Sequence, residues 1–231
     1  MTLDPAAFAE LARIGTATLS ARLLKRGIRR HRIRGAAALF PDRRIAGPAF
    51  TLRFLPGRED LPLAESLVAP GGLIEAVETA PAGSVLVIET GGDRESGVVG
   101  DILADRLRLR GVVGAVSDGT MRDRVGLERV GFPVWCAGTV APPATASLWC
   151  AGSGGPIAVG GTTVFPEDPI VADADGAIVV PRALAAEILV EAREQDAFER
   201  WVIEEVARGR PLPGLYPATP DSLAEHRARR G

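Results

Sequence analysis

The chain has 231 residues, 46% hydrophobic and 24% charged, with a formal net charge of −2. That is the make-up of an ordinary globular protein, long enough to bury most of the surface its unfolded form exposes. It carries no global electrostatic attraction for nucleic acid or anionic lipid. No stretch approaches the roughly 20 apolar residues of a membrane span. The opening MTLDPAAFAELARIG has no basic region ahead of an apolar run, so a cytoplasmic protein without membrane or nucleic-acid partners is expected.

In chain order, Phe8, Leu11, Leu19, Leu23 and Leu24 form a helical stripe that predicts a helix over 5–25, with Gly15-Thr16 as a possible break and Gly27 as its stop. Residues 29–44 are basic and read as a solvated surface, with an anion-binding arm as the alternative. The alternation over 47–55 predicts a strand. Residues 64–80 give mixed signals, including a short helix near 73–78. SVLVIET (84–90) reads as a strand covered on both faces. In the loop GGDRESG, Asp93, Arg94 and Glu95 either line a pocket or face solvent. A helix over 98–110, stopped by Gly111, leads to the strand VVGAVSD and the loop GTMRD. A helix over 124–130 precedes a strand in GFPVWCAG.

Residues 139–161 are rich in Ala, Gly and Pro. Beyond them come several short strands, joined by turns at Pro166-Glu167-Asp168 and Asp175-Gly176. VADADG lacks the ligand spacing of a calcium loop and reads as a hairpin turn. A last long helix spans 183–208, followed by a tail with a short helix. Trp135, Trp149 and Trp201 are assigned to core or interface. Without repeats or an obvious linker, the order favours one α/β domain over 1–231, with a layered sheet rather than a doubly wound nucleotide-binding fold.

The residue inventory narrows the chemistry. Lys25 is the only lysine and lies in a basic stretch, a poor setting for a Schiff base. His31 and His226 are the only histidines, and Cys136 and Cys150 the only cysteines. That argues against a zinc centre, a disulfide framework and a Ser-His-Asp arrangement. Metal chemistry would therefore use carboxylates and water, which suits Mg²⁺ or Mn²⁺.

Asp101 is followed by 20 residues and then Arg122-Asp123. A helix descending roughly 15 Å at 1.5 Å per residue and a strand climbing roughly 20 Å at 3.3 Å per residue return Arg122 and Asp123 to the level of Asp101. This is the carboxyl end of the strands, where open α/β sheets place ligands. Helix N–H groups near Gly100 to Leu103 would favour a carboxylate or phosphate there. Singly, Asp101 reads as a helix N-cap and Arg122-Asp123 as a surface turn; together they point to one site.

TATLSARLLKRG, GPAFTLRF, GDILADRLRLRG, SDGTMRD, GFPVW and DADGAIVVP, in this order, resemble the RraA-like family. That family holds class II 4-hydroxy-4-methyl-2-oxoglutarate aldolases and regulators of ribonuclease E activity. The likeness covers about residues 10–215, leaving 216–231 as a tail, and the aldolases' Asp, 20 residues, Arg-Asp pattern is complete. It implies a compact domain with a layered β/β/α, swivelling-domain-like core, a trimer or hexamer, and a C-terminal helix at the subunit interface. By motif match, Asp123 would bind the metal directly, Asp101 would hold it through water, and Arg122 would contact a 2-keto acid. Backbone around Gly100, Asp101, Ile102 and Leu103 would cradle the pyruvyl carboxylate. A neighbouring subunit's Glu would reach the metal through water, with Glu199 as first choice over Glu194 and Glu191.

The implied function is metal-dependent cleavage of a 4-hydroxy-2-keto acid to pyruvate, with oxaloacetate decarboxylation as a side activity. The alternatives are a non-catalytic regulator binding ribonuclease E or a helicase, and an aldolase for a 2-keto-3-deoxy sugar acid. Many members carry Asp where this chain has Ala21, and the HRIRG segment and GLYPATPDS tail look like a subgroup. These departures bear on the substrate rather than on the metal site.

Overall fold

Residues 3–229 are described by a computed structural model. Helices α1 (Pro5–Leu11) and α2 (Thr16–Lys25) precede strands β1 (Ala37–Ala38) and β2 (Ile45–Pro56). α3 (Leu63–Val68) and α4 (Leu73–Thr79) lead to β3 (Val85–Glu89), α5 (Asp101–Leu109), β4 (Gly114–Ser117), α6 (Arg124–Val130) and β5 (Val134–Cys136). Then come β6 (Leu148–Ser153), β7 (Ile157–Val159), β8 (Thr162–Val164), β9 (Pro169–Asp173) and β10 (Gly176–Val179), followed by α7 (Ala185–Ala207) and α8 (Pro220–Ala228).

The main sheet runs β1-β5-β4-β3-β2-β9-β10, with β6 also on β2. Strands β2 to β5 are parallel neighbours, while β1, β6, β9 and β10 pair antiparallel. β2 serves successive partners: its first residues pair with β9, its middle with β3 and its end with β6. The sheet therefore curls. The segment before β1 nearly closes it: Val179 N donates to His31 O, Ile33 N to Ala177 O, and Leu39 N to Val134 O. This corrects the expectation of a solvated surface over 29–44. Alternate residues are buried, His31, Ile33 and Ala36 among them, while Arg30, Arg32 and Arg34 face out.

Strand periodicity sorts the core into layers. Val85 and Val87 point into the barrel with Val116, Trp135 and Ile170. Leu86 and Ile88 point the other way, onto Leu107, Leu127 and Phe132 beneath α4 to α6. A third layer packs Leu11, Leu19, Leu23 and Ile188 of α1, α2 and α7 against Val171 and Ile178. The β/β/α layering is thus present, with a further helical layer behind β9 and β10.

The single helix expected over 5–25 is two helices. α2 starts where the Asp173 carboxylate, from β9, accepts from Thr16 N and Thr16 Oγ1 at 2.8 and 2.7 Å. α3 was not anticipated. α7 packs on α2 of its own chain and carries α8 at its end through Phe198, Trp201, Val202 and Leu215. Its outer face leaves Ile203 and Val206 exposed. Among the described residues no helix is long and apolar enough to cross a membrane.

Candidate active site

The predicted βαβ unit forms as β3, α5 and β4, with β3 and β4 parallel. The loop entering α5 is stitched to the loop leaving β4. Val98 N donates to Thr120 O at 3.1 Å, and Arg122 N to Val99 O at 2.9 Å. Gly97 makes this closeness possible, because a Cβ there would stand 2.6 Å from Met121 O and overlap the Arg122 side chain. Arg122 is thereby set beside the first turn of α5.

Two helix N-termini meet at this point. Gly100 caps α5 without a side-chain bond, and Ala104 N is the first amide bonded back into the helix, to Gly100 O. The amides of Asp101, Ile102 and Leu103 have no carbonyl one turn earlier to receive them. Asp123 precedes α6 at φ 56° and ψ 47°, a left-handed conformation that Asp tolerates better than most residues. The two carboxylates are arranged reciprocally: a Cβ on Gly100 would overlap Asp123 Oδ2, and a Cβ on Gly126 would overlap Asp101 Oδ2. Gly126 lies within the first turn of α6, where glycine costs about 1 kcal/mol against alanine. Room for the Asp101 carboxylate is the physical reason for it.

Asp101, Arg122 and Asp123 line one cavity of about 270 Å³ with Gly100, Ile102 and Leu103. Its opposite wall comes from Leu67, Leu73 and Ile74 of α3 and α4 and from Pro143 and Ala144. Arg122 Nε is buried without an acceptor. A buried donor left unpaired costs about 1–3 kcal/mol, so an anionic or carbonyl ligand would be favoured there.

The sequence reading did not identify Arg129, whose Nη2 donates to Asp101 Oδ2 at 3.0 Å. Its side chain is 77% exposed, so the pair orients Asp101 more than it stabilises the fold. The pocket wall from α3, α4 and residues 143–144 was also missed, because no local pattern announces which distant apolar residues will face a site. Gly126 was the one legible signal, a glycine in an otherwise regular helix.

Other candidates resolve into structural roles. Asp93 Oδ2 accepts from Glu95 N, Ser96 N and Ser147 Oγ, and Arg94 donates to Ala137 O; neither lines the cavity. Asp118 is buried and binds Thr90 N, Thr90 Oγ1 and Gly160 N. Burial pushes the Cys136 and Cys150 thiols above their ordinary range, which leaves them poor nucleophiles. His31 bonds Ser20 Oγ and Ile28 O, and His226 stacks against Phe198 and Trp201. Glu199 accepts from Thr18 Oγ1 and Gln195 Nε2 and lies in a separate groove with Ile203 and Val206. Glu191 is paired with Arg26, whose bond holds its carboxyl below the usual range, and Glu194 is exposed.

A metal fits this donor set in part. Among the described residues no three His, Cys, Asp or Glu side chains are grouped closely enough to hold an ion. Asp101 and Asp123 offer hard oxygens, as a Mg²⁺ ion that keeps several waters requires; any third carboxylate has to come from outside the chain.

Comparison with known proteins agrees with this geometry. The family model described as "RraA-like: Aldolase/RraA" matches residues 16–179. A Halalkalibacterium halodurans protein named "Putative 4-hydroxy-4-methyl-2-oxoglutarate aldolase" is 30% identical over 153 residues, 66% of this chain and 67% of its own. A Burkholderia mallei protein of the same name is 37% identical over 144 residues, 62% of this chain and 78% of its own. The structure of Streptomyces coelicolor RraAS2, titled an unusual member of the RNase ES inhibitor RraA protein family, superposes with a TM-score of 0.76. It is 34% identical, over 91% of this chain and 99% of that one. An uncharacterised Pseudomonas syringae protein superposes with a TM-score of 0.80 at 28% identity, over 93% and 98% of the two chains. The chain belongs to the RraA-like family, which spans aldolases and RraA proteins.

Proposed function

We propose that this protein is a divalent-metal-dependent class II aldolase that cleaves a 4-hydroxy-2-keto acid to pyruvate. One observation carries the reading: Arg122, with an unpaired buried Nε, stands beside two carboxylates and the free amides of α5 in a single cavity. A Mg²⁺ or Mn²⁺ ion held by Asp123, with Asp101 and Glu199 of a neighbouring copy reaching it through water, would supply Lewis-acid polarisation of the 2-keto oxygen.

The chain's own groups account for the rest. The amides of Asp101, Ile102 and Leu103 receive the substrate carboxylate. Arg122 donates to the keto oxygen. As the C3–C4 bond breaks, its electron pair moves into the C2–C3 enolate, and Arg122 stabilises the charge arriving on oxygen. A water held by Asp101 accepts the C4 hydroxyl proton, so that C4 leaves as a carbonyl. Return of a proton to C3 gives pyruvate. The same enolate results when oxaloacetate loses its C4 carboxylate as CO₂, which accounts for the expected side activity.

The reading also makes the protein a homo-oligomer, a trimer or hexamer, since one chain offers two of the carboxylates. Ile102 and Val125, beside the two helix N-termini, are 82% and 81% exposed, which supports burial against another copy. The test is pyruvate release coupled to lactate dehydrogenase, with Asp123→Ala as the variant. Rate and metal dependence should be lost together. A variant that retained full pyruvate release would refute the assignment. A wild-type protein that converts no 2-keto acid but captures a ribonuclease would favour the regulator reading instead.

A further inference from the structure

The charge distribution around the cavity assigns a substrate class, and this inference rests on the aldolase reading above. The side that would hold the pyruvyl half carries all the polar groups: the α5 amides, Asp101, Arg122 and Asp123. The remaining wall is Leu67, Leu73, Ile74, Val98, Pro143 and Ala144. None of these side chains donates a hydrogen bond or bears charge. Arg122 is the only cation lining the cavity, and its role at the keto oxygen already engages it. The next nearest guanidinium in this constellation, Arg129, is held by Asp101 Oδ2 and lies outside the lining. The only lysine, Lys25, ends α2, so no copy of the chain brings a lysine other than that one.

We infer that the leaving half of the substrate is uncharged and aliphatic, so that the preferred substrate is a 4-hydroxy-2-keto monoacid with an alkyl group at C4, which releases an aliphatic aldehyde. A dicarboxylate that releases a second pyruvate fits this wall poorly. Its second carboxylate would be set against leucine and isoleucine side chains without a donor, and a charge removed from water without a partner is strongly disfavoured. It would also sit in a cavity that already holds two acidic side chains. An alkyl group in the same place exchanges water for apolar contact, a favourable change. The cavity, at about 270 Å³, has room for a chain of a few carbons beyond C4.

The experiment compares kcat/KM for 4-hydroxy-2-oxohexanoate, which releases propanal, and for 4-hydroxy-4-methyl-2-oxoglutarate, which releases two pyruvates. Both are followed by pyruvate formation with Mg²⁺ present, and the second rate is halved for its stoichiometry. The monoacid should be preferred by at least about tenfold, the scale on which an apolar pocket discriminates. Equal or better cleavage of the dicarboxylate would overturn the substrate inference and leave the aldolase reading standing. Cleavage of neither would overturn both. Ile74 is 41% exposed, so Ile74→Arg should fold while placing a cation on the apolar wall. It should move the ratio toward the dicarboxylate by about tenfold, mainly through KM; an unchanged ratio would show that this wall does not face the leaving group.

Discussion

Gly100→Ala isolates the position of Asp123 from the stability of the fold. Gly100 sits at φ −106° and ψ −173°, an extended conformation open to any residue, so alanine brings no backbone strain. By itself the change would even stabilise slightly, by about 0.4–1 kcal/mol through the unfolded chain. The obstacle is the new Cβ, which would overlap Asp123 Oδ2. That oxygen belongs to an exposed side chain and can swing aside; it must retreat by about 1 Å to regain an ordinary non-bonded separation. A misplacement of that size at a reacting centre costs about 100-fold in rate. The expected result is a melting temperature within about 2 °C of wild type, with pyruvate release reduced about 100-fold and a raised Mg²⁺ requirement. Wild-type turnover at wild-type Mg²⁺ concentration would refute the placement of Asp123 on the metal.

Further outcomes follow from other residues. Arg122→Met removes the only cation of the cavity and should lower kcat/KM by about 100- to 1,000-fold. It should leave the melting temperature unchanged or higher, because a buried unpaired N–H disappears with it; a melting temperature lowered in step with activity would make Arg122 structural. Asp118→Ala strands Thr90 N, Thr90 Oγ1 and Gly160 N and should cost about 3 kcal/mol, or about 6–12 °C of melting temperature at this size, read by calorimetry. Burial pushes the Glu205 carboxyl up, but bonds from Arg208, Arg229 and Arg210 outweigh it and hold the group below its ordinary range. A depressed folded value means that this contribution is complete above the ordinary carboxylate value of about 4.3 and is lost as pH falls through the folded value. Acid titration of tryptophan fluorescence should report the release of α8 from Trp201, and Glu205→Gln should abolish that pH dependence; an identical titration in the variant would contradict it.

The candidate site was legible because its three polar residues lie within one βαβ unit, where helix rise and strand rise set their level. α6 occupies the very residues expected, 124–130, and the buried run of β3 reads directly as a two-faced strand. What was illegible depends on distant chain. Thr16 starts a new helix because of a carboxylate 157 residues away. The HRIRG segment looks solvated by charge count, yet every second residue is buried where it closes the sheet. The lining from Leu67 to Ile74 and at Ala144 is set by tertiary packing alone, and with it the character of the leaving group. Glu199 binds Thr18 and Gln195 in its own chain, so its part in a neighbour's site stands as a proposal about the assembly.

The most direct test of the central claim is pyruvate release by the purified oligomer from a 4-hydroxy-2-keto acid, measured after EDTA treatment and again after Mg²⁺ is restored. The account predicts turnover that EDTA abolishes and Mg²⁺ or Mn²⁺ recovers, with no borohydride-trapped adduct on Lys25. Turnover that persists in EDTA, or a covalent adduct on that lysine, would contradict it.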